Sequence, residues 1–493
     1  MRSFTKRSIP ALAALLVAAC DGQTVSPVDT VNAVPSGQAQ PPMLEPKTPP
    51  APEPQPEPEP QFPAKMLRAS QLLTKAADGD TTGWDRMAFV ADTFGPRLSG
   101  SKGLELAIDW AVETFKNDGY ANARREKAMV THWVRGEESA RVVAPRERPL
   151  FMLGLGNSVG TPRRGIKAEV IAAQDVESIA ALGDKAKGKI VVVTQAMKPY
   201  DQEKHESGYG DAVQPRLFAA REASKVGAKA VLVRSVTAYN WRTPHTGTLV
   251  YDETVKKIPA AALAPEDMMY VERELARGRT VEIELKMGAK MYPKAESANV
   301  VAELEGREKP DEVVVIGCHW DAWDVGDGAH DDGAPCMHVM EAMRALKKLD
   351  LVPRRTIRAV LFANEENGGG GRDAYYEAHK AEKHVAAMES DSGSFAPQGF
   401  GIGRDEAELA QLTPYAPLFE GLGASDFRQG GGGADIAPLT KAGVLSVAVR
   451  PDGSHYFDLH HTHADTVDKV EPDHLQRNAM AMALMAFILA ERE

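Results

Sequence analysis

Apolar positions in the second half of the chain come in short unbroken runs. Val313 to Ile316 is the first, followed by Thr356 to Ala363, Val385 to Met388 and Val444 to Val449. Runs of this length without polar alternation predict strands buried on both faces, as in a largely parallel sheet. Between them, Val339, Met340, Met343, Leu346 and Leu349 share one helical face. Leu475, Met482 and Leu489 do the same in a closing helix predicted from Asp473 to Ala490. Nearer the N-terminus, Leu104, Ile108, Ala111 and Phe115 fall at helical spacing, and Gly119 is well placed to stop that helix. Strand and helix alternate from Ser297 onward, which predicts an α/β fold: a mixed, mostly parallel sheet flanked by helices.

The middle of the chain has a different rhythm. Strand-like runs at Ala168–Ala172, Lys189–Thr194, Ala230–Arg234 and Thr280–Leu285 alternate with Gly and Pro turns, around one helix predicted from Leu217 to Val226. Residues 131–290 therefore read as a smaller β-rich domain inserted between 66–130 and 291–493, the two parts of the main domain. Pro244-His245-Thr246-Gly247 is its one conspicuous loop. His245 reads either as a surface histidine or as part of a loop that closes over a substrate.

Composition changes the picture mainly at the N-terminus. Residues 1–20 hold Arg2, Lys6 and Arg7, a short apolar core, and Val17-Ala18-Ala19-Cys20. That core is too short to span a bilayer and reads as a signal peptide. It resembles a bacterial lipoprotein signal with Cys20 as the lipidated residue, which predicts a lipid-anchored protein of the bacterial cell envelope. Residues 21–65 include APEPQPEPEP at 51–60 and read as a Pro-rich tether without a core of its own. The net charge of −11 and the lack of any basic patch argue against nucleic acid as a partner. Self-association as a homodimer is left open. Three cysteines, Cys20, Cys318 and Cys336, exclude a disulfide scaffold and a Cys-rich zinc module. A bridge between Cys318 and Cys336 is undecided by sequence.

Each predicted strand delivers polar residues at its C-terminal end. His319 and Asp321 follow the first, with Asp331-Asp332 in a Gly-rich turn beyond. Asn364-Glu365-Glu366, Glu389-Ser390-Asp391 and His460-His461 follow the others. Singly, each group could be a turn or a solvated surface. Together they put ligand-type residues where open α/β sheets bind ligands. His319, Asp331, Glu366, Asp391 and His461 form a donor set of imidazole and carboxylate suited to Zn²⁺. One ion rarely takes five protein ligands and keeps an open position, so two ions bridged by Asp331 fit better. Glu365, beside Glu366, is the candidate general base facing the attacking water. Asp321 is placed to orient His319 as an acceptor behind it. Gly430–Gly433 lacks the ending of a phosphate loop. It reads as flexible backbone near the cleft, with Asp435 a candidate lining residue.

The motifs Gly317-Cys318-His319-Trp320-Asp321, Gly328-Ala329-His330-Asp331-Asp332-Gly333, Glu365-Glu366, Met388-Glu389-Ser390-Asp391-Ser392-Gly393 and His460-His461-Thr462 resemble those of the co-catalytic zinc exopeptidases of the leucyl aminopeptidase and glutamate carboxypeptidase type. The likeness extends to Pro244-His245-Thr246-Gly247 and Gly433-Ala434-Asp435-Ile436 and covers nearly all of residues 80–490. It implies a phosphorylase/hydrolase-like zinc peptidase fold interrupted by a protease-associated domain, and two Zn²⁺ per chain. It implies the same five ligands, Glu365 as base, and His460 as a residue that polarises the scissile carbonyl. The substrates it implies are dipeptides or short peptides with a free N-terminus. An aminopeptidase acting on longer peptides is the nearer alternative, and a non-catalytic envelope binding protein the more distant one. Asn364 departs from the alanine common before the Glu pair.

Overall fold

The computed structural model describes residues 62–493. Cys20, the signal segment and nearly all of the tether lie outside the described residues.

Two eight-stranded sheets organise the protein. In the main sheet the strands run in the order Arg124–Val134, Lys290–Leu304, Arg355–Phe362, Lys309–His319, Lys383–Glu389, Leu445–Pro451, Pro397–Ile402, Asp426–Gln429. The four middle strands, from Arg355–Phe362 to Leu445–Pro451, are mutually parallel. Every residue of Arg355–Phe362 is buried, which is why these strands read as continuous apolar runs. Register carries the consequence for the site. His319 pairs with Phe362, and Gly317 with Glu389, so the segments that follow these strands emerge side by side.

Helices cover the main sheet. Ala334–Lys348 and Pro472–Glu491 lie nearly wholly buried against one another and, with Ala64–Ala77, build the largest apolar cluster of the protein. Lys102–Asn117 is capped by Ser101 Oγ, which accepts from Leu104 N. It ends before Gly119, whose φ of 95° suits a helix stop. Cys318 and Cys336 form a disulfide, with Cα atoms 5.2 Å apart, tying the His319 strand to helix Ala334–Lys348.

The chain leaves the main sheet after Val134 and re-enters at Lys290, which pair with each other. Between them lies the second sheet, from Glu138 to Met287. Its two edge strands, Arg148–Leu150 and Met152–Gly154, are separated in sequence by Phe151 alone, so the sheet curls until its edges nearly meet. The helix predicted from Leu217 begins earlier, at Tyr209, because Pro215 sits inside its first turns rather than ahead of it. Its buried face includes Ala212, Val213, Ala219, Ala220 and Ala223, and also Arg216.

The second sheet is fastened to the first. Arg135 holds Asp324 through two nitrogens, at 2.6 and 2.9 Å. Trp323 lies against Gly156, where a Cβ would come within 1.9 Å of the indole. Glycine is required there because the segments following the two sheets' strands meet at that point. Among the described residues no helix is long and apolar enough to cross a membrane.

Candidate active site

The C-terminal ends of the parallel strands converge on one cleft of about 480 Å³. His319, Asp331, Glu365, Glu366, Asp391, His460 and His461 line it together. His319 Nε2 lies 3.2 Å from Asp331 Oδ1 and 3.4 Å from Asp391 Oδ1. His461 Nε2 lies 3.0 Å from Asp331 Oδ2 and 3.1 Å from Glu366 Oε2. Asp331 thus offers one oxygen to each group. Donors 2.0–2.1 Å from a tetrahedral ion sit about 3.3 Å from each other, so the distances from each imidazole to its two carboxylates are those of neighbouring donors in a zinc shell. Asp331 Oδ2 has no hydrogen-bond partner despite its nearness to His461, and Glu366 Oε1 has none either. Buried acceptors left in this state fit a cation. The residues present therefore fit two ions bridged by Asp331.

The turn that carries Asp331 is held from behind. Asp465 accepts from His330 N at 2.7 Å and from Asp331 N at 3.1 Å. Asp332 accepts from His319 N at 3.0 Å. Arg97, fully buried, donates to the carbonyls of Trp320, Asp327 and Gly328. Asn364 adopts φ 69°, a left-handed conformation asparagine tolerates. Its side chain accepts from Thr131 N and donates to Asn367, fixing the bend from which Glu365 and Glu366 both enter the cleft.

Asp321 orients His319 by a different atom than sequence suggests. Its main-chain carbonyl, at 2.8 Å, takes the Nδ1–H of His319. Its carboxylate instead accepts from Ser99 Oγ and from Glu365 N, both at 3.0 Å. The side chain is drawn away because two donors outside its own strand reach it first. One residue thus holds both the imidazole and the backbone of the candidate base.

His245 and Asp435 stand behind the cleft wall rather than in it. His245, 2% exposed, donates Nδ1–H to the carbonyl of His460 at 2.8 Å. Thr246 N donates to the carbonyl of His461 at 3.0 Å, and the Thr246 carbonyl lies 3.3 Å from His461 Nδ1. The loop thereby sets the tautomer that points Nε2 toward the carboxylates. Asp435 is 3% exposed, and neither carboxylate oxygen has a partner. Its N–H and that of Ile436 bind the Glu389 carboxylate, which occupies the space a Cβ at Gly433 would take.

Arg216 was not singled out by its sequence context. It is 5% exposed, lines the cleft, and donates Nη2–H to Tyr209 Oη at 2.7 Å. Its Nη1 abuts His461 Nδ1 at 3.2 Å, a nitrogen whose proton goes to Thr246. Its Nε has no partner, and among the described residues no carboxylate pairs with it. The available signal was a cation on the apolar stripe of a helix.

Burial dominates the electrostatics. It pushes Glu365 up to about 7, with Asp391, Asp321 and Asp331 adding to the rise and His319 opposing it. Burial and Asp331 push Glu366 to about 8, and burial raises Asp465 to about 7. Burial opposes protonation of His461, but Glu366 and Asp331 outweigh it and raise that ring to about 9. Each of these groups binds its proton more tightly folded than unfolded. Between pH 5.5 and about 8.5 the metal-free protein should therefore lose stability as pH rises. Zn²⁺ supplies the missing charge, so its stabilising shift in Tm should widen over the same range. Thermal unfolding with and without Zn²⁺ checks this; a shift independent of pH would contradict it.

Comparison with known proteins agrees with the geometry. The signature of peptidase family M28 matches residues 299–486. Carboxypeptidase Q of Bos taurus is 40% identical over 424 residues, covering 85% of this chain and 88% of that one. The crystal structure of a peptidase M28 precursor from Shewanella amazonensis SB2B superposes with a TM-score of 0.83 at 33% identity, over 87% of this chain and 97% of that one. An aminopeptidase from Aneurinibacillus sp. strain AM-1 shares the fold, with a TM-score of 0.61 at 20% identity over 86% and 97%. With His319, Asp331 and Asp391, and Asp331, His460 and His461, each grouped within reach of a metal ion at these strand ends, the chain belongs to peptidase family M28, as a zinc metallopeptidase similar to carboxypeptidase Q.

Proposed function

We propose that the protein is an exopeptidase that hydrolyses dipeptides and short peptides with a free N-terminus. Arg216 carries the reading. A buried guanidinium without an anion is unfavourable, and a cleft that holds one is built to receive an anion. The carboxylate of a dipeptide is of that kind, while its ammonium group suits the acidic wall of Glu365 and Asp391. A longer peptide would bring a neutral amide to the same place.

His319, Asp331 and Asp391 would hold one ion, and Asp331, Glu366 and His461 the other. Bound Zn²⁺ polarises the scissile carbonyl and acidifies the attacking water. Glu365 takes the water's proton as the water oxygen bonds to the carbonyl carbon and the C=O π bond opens to the oxyanion. It returns that proton to the amine nitrogen as the C–N bond breaks. Burial and His461 hold His460 well below its usual range, so the ring is neutral and can donate one N–H to the oxyanion. The Asp321 carboxylate, through the Glu365 N–H, keeps the base in place. The inserted sheet is read as a protease-associated-type domain and Cys20 as a lipid anchor, with residues 21–65 as the tether to the envelope.

Glu365→Gln should retain both metals and lose about 10²-fold or more in kcat; near wild-type turnover at full occupancy would sink the base assignment. Dipeptides should be cleaved faster than their C-terminal amides, and Arg216→Met should raise KM for the acids by about tenfold while leaving the amides unchanged. Equal rates on acid and amide would favour the broad aminopeptidase. Fatty-acid labelling in cells should mark the full chain and not Cys20→Ala; equal labelling of both would remove the anchor.

A further inference from the structure

We infer that residues 197–208 form a strap that closes the cleft and limits substrate length, with Tyr200 and His205 as specificity-determining residues. The inference rests on the dipeptide reading above and adds the element that enforces it.

The strap leaves the second sheet at the end of strand Ile190–Val193 and returns in helix Tyr209–Lys225. Between these points it crosses to the other domain. Arg428 Nη1 donates to the Lys204 carbonyl at 3.2 Å. His205 Nδ1 meets the side-chain oxygen of Gln398 at 3.1 Å. Tyr200 lies over Gly453, where a Cβ would stand 3.4 Å from its ring. Gln398 and Arg428 lie on outer strands of the main sheet, and Gly453 follows its neighbouring strand. The strap is therefore anchored at both domains.

Its own turn is preformed. Asp201 N donates to the Glu206 carbonyl at 2.8 Å, and Asp201 Oδ1 accepts from Glu203 N and Lys204 N. His205 sits at φ 56°, a left-handed conformation sparsely populated by residues with side chains. An anchored ring on a strained backbone marks a position that the surroundings over-determine. Tyr200, His205 and Ser207 then line the cleft beside Gln398, Arg450 and Pro451. This part of the wall holds none of the carboxylates or histidines that would bind metal. A peptide extended past two residues would advance about 3.3–3.6 Å per added residue and run into this wall.

The test compares kcat/KM for tetra-alanine and di-alanine on the zinc-loaded full chain, in wild type, in Tyr200→Ala/His205→Gly and in Gln398→Ala. The double variant removes both side chains and gives the left-handed position a glycine. Gln398→Ala removes one anchor and one lining side chain of this wall while leaving the strap's own residues intact, and decides the matter if the double variant does not fold. The tetrapeptide-to-dipeptide ratio should rise by about tenfold or more once the wall opens. A dipeptide-restricted wild type with an unchanged ratio in the variants would overturn the strap and leave the dipeptide reading standing. Wild-type cleavage of tetra-alanine as fast as di-alanine would overturn that reading, and the strap with it.

Discussion

The structure depends on the burial of many carboxylates at one point. Asp321, Asp331, Asp332, Glu365, Glu366, Glu389, Asp435 and Asp465 are all within the protein at the C-terminal ends of four strands. Unpaired, such groups are expensive to bury. The fold answers with backbone N–H groups at Asp332, Asp321, Asp465 and Glu389, and with imidazoles at Asp331, Glu366 and Asp391. Of the carboxylate oxygens left without a partner, Asp331 Oδ2 and Glu366 Oε1 lie where two ions fit, while Asp332 Oδ1 and both oxygens of Asp435 lie behind the cleft. The same surplus of negative charge suits dications, and with burial it raises the proton affinity of Glu365.

The inserted sheet completes that centre rather than merely covering it. Thr246 and His245 hold the backbone of His461 and His460, and Thr246 fixes the imidazole tautomer. Arg216 supplies to the cleft a cation that no carboxylate among the described residues pairs. The Arg135–Asp324 pair and the contact of Trp323 with Gly156 hold these groups in register with residues on the other sheet. A site assembled across two sheets in this way is specified by their interface as much as by either core.

The convergence of strand ends was legible because fully buried parallel strands are unbroken apolar runs, and the polar residue that ends each one is easy to see. His319, Glu366 and Asp391 stand out for that reason. The Asp321 carboxylate was harder, since its partners Ser99 and Glu365 come from segments far away in sequence. Arg216 was hidden by the same separation and by Pro215, which masked the start of its helix. His245 was visible as a loop residue, read either as a surface histidine or as part of a loop over a substrate, and its burial against the His460 carbonyl depends on a contact between the two sheets that local pattern does not encode. The disulfide was undecided for a similar reason: only the packing of helix Ala334–Lys348 on the His319 strand brings Cys336 to Cys318.

Tyr200, His205, Ser207, Tyr209 and Arg216 all fall between the end of one strand of the inserted sheet and the end of the helix that follows it. The groups assigned to metal and proton transfer come from outside that interval. On the proposed reading, the groups that receive the substrate carboxylate and limit its length are thus drawn largely from one stretch of the gene, apart from the ligands and the base. Changes in its first part, at Tyr200, His205 and Ser207, would alter the diet of the enzyme at a distance from the ligands, whereas Arg216 abuts His461 and ties the end of the interval to the reaction chemistry.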